Sequence, residues 1–245
     1  MRHILNPMTS VIRLYVDHPL GAGQSVPLTS KQSHYLFTVM RKGLGERLQI
    51  FNGTDGEWLA EVSNPSKKAG YLQCEKRSKQ QLLPPDLWLM FAPLKKSRSE
   101  LVVEKATEMG AQKIMPVKTD FTNFDHIRKE RLQSQAVEAA EQCGGTYVPE
   151  IPELQKLTKV LSNWDERKIM FCDETISGKS ISLPNIEAPW AILVGPEGGF
   201  SAREREMLMD MPQVERVTLG PRILRAETAA VAALTLWQFT MGDWT

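Results

Sequence analysis

The chain has 245 residues, of which 42% are hydrophobic and 24% charged, a balance typical of a soluble globular protein with one large or two modest domains. Its first residues lack the charged-then-apolar pattern of a signal peptide, and no stretch approaches the roughly 20 apolar residues of a membrane span. The three cysteines, Cys74, Cys143 and Cys172, are far apart and lack CxxC spacing. This pattern argues against a disulfide framework or a cysteine-based zinc site and favours a reduced cytoplasm without a bound metal.

The formal net charge of +1 conceals an asymmetry between the two parts of the chain. Residues 1–82 carry 11 Lys and Arg against 6 Asp and Glu, a net +5, whereas residues 83–245 carry 19 against 23, a net −4. A basic module on an acidic body is compatible with a polyanionic partner such as RNA. The alternative is a solvated, lysine-rich edge that discourages strand pairing.

The first part of the chain is mainly strand-like. The sequence "NGTDG" at 52–56 suits a turn between two strands. One helix is predicted within 29–43, with Ser30 as its N-cap and Gly43 at its end. We therefore expect a small β-rich domain over residues 1–82. Its strands are predicted where short β-branched or aromatic segments partly alternate, at 11–16, 47–51, 57–63 and 71–77.

The composition changes at "QQLLPPD" (80–86), because Pro84 and Pro85 resist both helix and central strand. Beyond this linker, strands and helices alternate, which predicts an α/β domain over residues 83–245 with a mostly parallel sheet covered on both faces. The strands are predicted at 87–93, 112–118, 167–174, 190–195 and 214–220, and the helices at 97–110, 128–144, 201–210 and 226–241.

Two glycine–proline loops each follow a strand and precede a helix. The first, "LVGPEGGF" (193–200), leads to a helix capped by Ser201, but it matches neither a Walker loop nor a GxGxxG fingerprint. Its Glu197 disfavours a phosphate and suits a neutral or positive ligand. The second lies in "VTLGPRILRAETAA" (217–230). Since ligands collect at the carboxyl ends of parallel strands, we expect the two loops to form walls of one pocket. The alternative is that Gly-Pro merely ends each strand.

These loops carry a resemblance to a known family. "LVGPEGGFSAREREM" together with "VTLGPRILRAETAAVAAL" closely resembles the RsmE family of ribosomal RNA methyltransferases, which belong to the SPOUT class. Further matches are "HYLFTVMR" and "FNGTDGEW" before the linker and "APLKKSRSELVVEKATEMGAQKIMPV" after it. The resemblance implies an RNA-binding PUA-like β-barrel over 1–82 and a SPOUT domain over 83–245 that ends in a trefoil knot. It also implies a homodimer that uses S-adenosylmethionine to methylate N3 of a uridine in small-subunit ribosomal RNA.

The resemblance also implies the site residues. The cofactor is expected between the two loops, with a third segment near Phe171 and Cys172. Glu197 and Arg225 are the catalytic candidates; the alternatives are a helix-capping carboxylate and a salt bridge between Arg225 and Glu227. No histidine lies near either loop, so the proton from uridine N3 is left to water, Glu197 or Glu227. The expected cofactor-binding residues are Phe171, Cys172, Leu193, Gly195, Glu197, Gly199, Leu219, Gly220, Ile223, Leu224 and Arg225.

RNA contacts are expected in both parts of the chain. Cations at the start of a helix oppose its dipole, which favours an RNA-facing role for those that begin the first helix after the linker. Phe121 and Gly145 stand where relatives usually carry arginine. These departures leave open an RNA-binding or ribosome-assembly factor with little or no methyl transfer, acting on free RNA or on an assembled subunit. The expected RNA-binding residues are Arg13, His34, Arg41, Lys95, Lys96 and Arg98.

Overall fold

The structure is a computed structural model that describes residues 12–178, 183 and 186–244. The chain divides into two compact units. The first contains the residues up to Leu83 together with Glu141–Tyr147, and the second contains Pro84–Ala140 and the residues from Val148 onward. Val11, the first residue of the earliest predicted strand, lies outside the described residues. No helix in the described ranges has both the length and the apolar character needed to cross a bilayer.

The first unit is built on a five-stranded sheet in the order β1-β3-β4-β5-β2. Its strands pair antiparallel except β1 with β3, and shifts of register interrupt the pairing of β4 with β5. Alternate apolar side chains of β3 and β4 face the core of this unit. The strand bounds are β1 Arg13–Tyr15, β2 Ser25–Pro27, β3 Arg47–Phe51, β4 Glu57–Asn64 and β5 Tyr71–Lys79.

The N-cap of the helix in the first unit lies one residue earlier than predicted. Thr29, not Ser30, is the N-cap of α1 (Ser30–His34), because its hydroxyl accepts from the Gln32 N–H while the Gln32 carboxamide accepts from the Thr29 N–H. This reciprocal pair is a capping box. The helix continues as a π-helical turn over Tyr35–Val39 and is followed by Arg41 with a left-handed φ of 55°.

The second unit confirms the predicted α/β architecture. It contains a six-stranded parallel sheet in the order β11-β9-β10-β6-β7-β8. The strand bounds are β6 Leu87–Phe91, β7 Lys113–Lys118, β8 Gln155–Lys156, β9 Lys168–Cys172, β10 Trp190–Val194 and β11 Val214–Val217. The helices that begin in this unit are α2 Lys96–Glu108, α3 Lys129–Cys143, α4 Leu157–Leu161, α5 Ala202–Met209 and α6 Ala226–Met241, with a 3₁₀ turn at Glu174–Ile176. The end of α3, from Glu141 onward, belongs to the first unit.

The sheet of the second unit is buried on both faces. Every residue of β10 is buried, with Trp190, Ile192 and Val194 in one apolar cluster and Ala191 and Leu193 in the other. The order of the strands places β9 between β10 and β11, so their carboxyl ends lie side by side. The loops that follow these three strands therefore meet at one edge of the sheet. The trefoil knot stays a prediction from the resemblance.

Candidate active site

A cleft lies at the carboxyl ends of β9, β10 and β11 and has about 610 Å³ of open space, including the part that opens to solvent. Three loops form its walls, at 172–177, 194–199 and 218–224. The lining residues are Cys172, Asp173, Glu174, Ser177, Val194, Gly195, Pro196, Glu197, Gly199, Thr218, Leu219, Gly220, Arg222, Ile223, Leu224, Ala226 and Ala229.

Most of the residues expected to contact the cofactor line this cleft, but the structure departs from the prediction at two strand positions. Phe171 and Leu193 lie in the apolar cluster on the opposite face of the sheet, where Phe171 packs edge-on against Phe200 with their centroids 5.0 Å apart. Because side chains alternate along a strand, Cys172 and Val194 face the cleft instead. The expected residues that line the cleft are Cys172, Gly195, Glu197, Gly199, Leu219, Gly220, Ile223 and Leu224.

The second Gly-Pro loop presents a different arginine to the cleft from the one expected. Arg225 is the N-cap residue of α6 and is exposed outside the lining, whereas Arg222 lies in the lining. Glu227, the partner considered for Arg225, instead forms an ion pair with Arg98, with Nε and Oε1 3.7 Å apart. Arg222 follows directly after Gly-Pro in the sequence, and this position was the signal that could have identified it.

The first Gly-Pro loop is held by an ion pair to α2. Nη1 of Arg98 donates to Oε1 of Glu197 at 2.7 Å. Arg98 therefore contacts Glu197 and Glu227 together, which departs from the RNA-contact role expected for it. The helix-capping alternative for Glu197 is filled by other residues, because Ser201 and Glu204 form the capping box of α5. Glu197 is thus held beside the cleft and not at the helix end.

A second ionic network joins the bases of the three walls. Asp173 is only 3% exposed and accepts from Arg205 and from Nε of Arg216, the latter at 2.5 Å. Arg205 also donates to Glu174, and Arg216 donates to the Thr175 hydroxyl at 2.7 Å. The segment after β9 is therefore tied to α5 and to β11. Sequence reasoning missed this network because its partners are 31 to 43 residues apart.

The network fixes the charge of Asp173. Burial alone would raise the pKa of this carboxyl, but hydrogen bonds from the backbone and side chain of Thr175 and from Arg216 and Arg205 hold the pKa below its ordinary value. Asp173 is therefore ionised at neutral pH. With Glu174 and Glu197 it places three carboxylates in the lining, each of which is paired with an arginine outside the lining: Arg205, Arg216 or Arg98.

Cys172 contributes an apolar surface to the cleft. Its burial and, to a smaller extent, the charge of Asp173 raise the pKa of the thiol to about 12. The thiol consequently stays protonated at neutral pH and is a poor nucleophile.

Arg13, expected to bind RNA, is used within the first unit. Its Nε donates to the buried Glu57 carboxylate at 2.6 Å, and its Nη1 and Nη2 donate to the carbonyls of Glu141 and Gly145 at 2.9 and 2.7 Å. The guanidinium also lies over the Phe51 ring, 4.6 Å from its centroid. A buried carboxylate requires a paired cation, and Arg13 supplies it. In the structure Arg13 therefore makes contacts within its own unit, whereas the sequence predicted that it contacts RNA.

The remaining residues expected to contact RNA belong to both units. His34, at the end of α1, and Arg41 are exposed on the first unit. Lys95 is exposed at the N-cap of α2, and Lys96 is the first residue of that helix. The left-handed φ of Arg41 shows that the backbone leaves the helical conformation at this residue.

Comparison with known proteins agrees with this geometry. The family described as RNA methyltransferase domain matches residues 81–238, and the family described as RNA methyltransferase PUA domain matches residues 28–73. Ribosomal RNA small subunit methyltransferase E of Rickettsia conorii is 32% identical over 229 residues, which cover 91% of this chain and 93% of that protein.

Two solved structures share the fold over nearly the whole chain. Ribosomal RNA small subunit methyltransferase E of Neisseria gonorrhoeae, bound to S-adenosylmethionine, is 25% identical with a TM-score of 0.87 and covers 96% of this chain and 100% of that one. A protein of Legionella pneumophila described as a methyltransferase, in complex with the same cofactor, is 27% identical with a TM-score of 0.86 and covers 95% and 99%. The chain therefore belongs to the RsmE family of ribosomal RNA small subunit methyltransferases.

Proposed function

We propose that this chain methylates N3 of a uridine in small-subunit (16S) ribosomal RNA, with S-adenosylmethionine bound in the cleft at the carboxyl ends of β9, β10 and β11. The observation that carries the proposal is the convergence of both Gly-Pro loops on one cleft lined by carboxylates. The general reaction, S-adenosylmethionine-dependent methylation of ribosomal RNA, is that of its family.

The residues of the cleft fit this cofactor. Val194, Leu219 and Leu224 offer apolar surface for an adenine ring, and the peptide groups of the glycine-containing loops offer donors and acceptors for its edges. Glu174 and Glu197 place carboxylate oxygens in the lining, where they can accept hydrogen bonds from the hydroxyl or amino groups of a ligand. When bound, S-adenosylmethionine supplies an electrophilic methyl group on a positively charged sulfur. The chain's own task is then to orient the base and exclude water.

The chain must also accept a proton, since uridine N3 carries one before it is methylated. We propose the carboxylate of Glu197 as the acceptor, because it lines the cleft and Arg98 holds it there at 2.7 Å. Arg98 acts in this proposal as a positioning residue. Glu227 is the alternative acceptor, because its Oε2 is buried and has no hydrogen-bond partner within the described residues. Arg225 is proposed to contact the substrate from the exposed start of α6.

RNA binding is proposed for the exposed cations that the structure leaves at the surface, Arg41 of the first unit and Lys95 of the second. Lys96 follows Lys95 directly, and both Lys96 and the exposed His34 of the first unit stay in the proposed contact set. Neutralising Arg41 and Lys95 together should reduce the slope of log affinity against log salt by about 2, because fewer counterions are released. An unchanged slope would place the phosphate contacts elsewhere.

A homodimer in the cytoplasm is the proposed state of the enzyme. On α6, Leu234 and Trp237 are buried within the second unit, whereas Phe239 is exposed. Phe239 is proposed as the side chain through which α6 contacts a second copy. Light scattering of the purified protein checks this, and a monomer at micromolar concentration would contradict it.

Methyl transfer is tested with labelled S-adenosylmethionine and two substrates, assembled small subunits without the modification and naked small-subunit RNA. We expect label in one RNA nucleotide, and nuclease digestion followed by mass spectrometry should identify it as 3-methyluridine. Cofactor binding without transfer to either substrate would instead support an RNA-binding or assembly factor. Transfer to another atom of the nucleotide would remove the N3 assignment alone.

A further inference from the structure

Phe121 is an exposed aromatic side chain beside the cleft. It follows β7 and is 48% exposed. Its side chain packs against Gly198, so closely that a Cβ on that glycine would lie 3.3 Å from the Cβ of Phe121 and 3.6 Å from its ring. Gly198 lies between Glu197 and Gly199, which both line the cleft. The ring of Phe121 is therefore at the edge of the proposed methyl-donor site.

The backbone around Phe121 is fixed on both sides. The Thr119 N–H donates to the Thr122 hydroxyl at 2.9 Å, and both threonine side chains are buried. The Asp120 N–H donates to Glu204 at 2.8 Å, while its carboxylate accepts from the Ser201 hydroxyl at 2.6 Å. The loop is thus tied to the first turn of α5, and Phe121 is presented to solvent by a rigid support.

A rigid, half-exposed ring offers a flat surface at low entropic cost to whatever stacks on it. In RNA recognition, unstacked bases are commonly held against aromatic side chains, and each such contact contributes substantially to affinity. We propose that the ring of Phe121 stacks on a base of the RNA substrate and so orients the RNA at the mouth of the cleft. This inference rests on the proposed function, because it requires RNA as the substrate.

The test separates stacking from simple packing by comparing three variants. Phe121→Tyr keeps the flat ring, Phe121→Leu keeps the apolar bulk without it, and Phe121→Ala removes both. Met209→Ala is the matched control, because Met209 is a similarly exposed apolar residue on α5 that does not line the cleft. The dissociation constant for a small-subunit RNA fragment is measured by direct titration with S-adenosylhomocysteine present, and the affinity for S-adenosylhomocysteine is measured separately by calorimetry.

We expect Phe121→Leu and Phe121→Ala to weaken RNA binding by about tenfold or more. Phe121→Tyr and Met209→Ala should stay near the unsubstituted protein, and the cofactor affinity should not change. An unchanged RNA affinity in Phe121→Leu would overturn the proposal. RNA binding is measured directly, so the effect of Phe121 is tested even if the protein transfers no methyl group. A failure of the stacking proposal can therefore be distinguished from a failure of the proposed methyl transfer.

A scan of the RNA identifies the stacked base. Each nucleotide of the fragment is replaced in turn by an abasic site, and the loss of affinity is measured with the unsubstituted protein and with Phe121→Ala. One position should weaken binding to the unsubstituted protein but not to Phe121→Ala, because the ring and the base form a single interaction. Equal losses in both proteins at every position would contradict stacking.

Discussion

The two Gly-Pro loops have similar sequences but differ in how they are held. In the first loop, Glu197 is ion-paired with Arg98, and the Phe200 ring is buried in the core beneath the sheet. In the second loop, Ile223 is 77% exposed, and the side chain of Arg222 makes no hydrogen bond or ion pair within the described part of the chain. One wall of the cleft is thus built into the fold, and the opposite wall is held mainly at its base.

Because the two loops are held differently, we expect them to contribute differently to the free energy of ligand binding. A wall that is already fixed costs little entropy when the ligand binds, whereas each side chain that becomes ordered on binding costs about 0.5–1.5 kcal/mol. Substitutions that disrupt the contacts holding the first loop should therefore change folding and binding together. Substitutions at the tip of the second loop should change binding alone.

The largest effect is expected for Gly199→Val. Gly199 has a left-handed φ of 68°, and a side chain there would collide with the carboxylate of Glu174, which is paired with Arg205. The substitution therefore acts on the wall itself, before any ligand is considered. We expect the free energy of unfolding to fall by about 3 kcal/mol or more and the binding of S-adenosylhomocysteine to be lost.

Gly220→Val is the control for that substitution in the second loop. Gly220 also has a positive φ, of 111°, but nothing lies within 4 Å of the position of an added Cβ. It should therefore suffer backbone strain without collision and lose less stability in urea denaturation. An equal loss at both positions would show that strain, and not crowding against Glu174, governs the first loop.

The next largest effect is expected for Glu197→Gln. The amide keeps the shape and an acceptor for Arg98 but does not accept a proton, so kcat should fall by about 100-fold. The affinity for S-adenosylhomocysteine should change little. The rate constant is measured in single-turnover methyl transfer, with Glu227→Gln as the parallel variant. A normal rate for Glu197→Gln together with a slow Glu227→Gln would move the acceptor role to Glu227.

A smaller, pH-dependent effect is expected for Asp173→Asn. The substitution weakens the hydrogen bonds that Asp173 accepts from Arg205 and Arg216. The pKa of Asp173 is lower in the folded protein than in the unfolded chain, so its stabilising effect is complete above the ordinary Asp pKa of about 3.9. This stabilising effect is lost as the pH falls through the pKa that Asp173 has in the folded protein. The difference in unfolding free energy between the two proteins should be largest at neutral pH and shrink below about pH 4.

The control for this comparison is Asp86→Asn. Asp86 pairs with the buried Arg167 at 2.8 Å in the same unit but does not line the cleft. Both variants should lose stability at neutral pH, but only Asp173→Asn should also weaken the binding of S-adenosylhomocysteine, measured by calorimetry. A matching loss of affinity in Asp86→Asn would mean that general loosening, not the network below the walls, controls the cleft.

The sequence predicts the parallel sheet and the convergence of the loops because both follow from local patterns. Strand-like runs, glycine–proline ends and capped helices are visible within a few residues of each other. The cap of α1 shows the limit of single residues in such patterns, because Thr29 and Ser30 are both hydroxyl residues that can cap a helix. Only Thr29 has its capping-box partner, Gln32, three positions later.

Other features of the site are hidden from local patterns. The strands β9 and β10 are apolar on both faces, so no alternation shows whether Phe171 or Cys172 faces the cleft. The ion pair of Arg98 with Glu197 joins residues 99 positions apart. Only the folded chain brings such residues together, and for this reason Arg98 looked like a free surface cation in the sequence.

The smallest effect, and the most direct test of the difference between the loops, is expected for Ile223→Ala. Ile223 lines the cleft while most of its surface is exposed, so a ligand in the cleft can cover apolar surface that the fold leaves open. We expect the affinity for S-adenosylhomocysteine to fall by about three- to tenfold with an unchanged Tm, because the lost apolar contact forms only in the complex. Leu101→Ala, an exposed apolar position on α2 outside the cleft, should change neither quantity. A lower Tm without a change in affinity would mean that the second wall is packed before the ligand arrives, and the two loops would then be alike in rigidity.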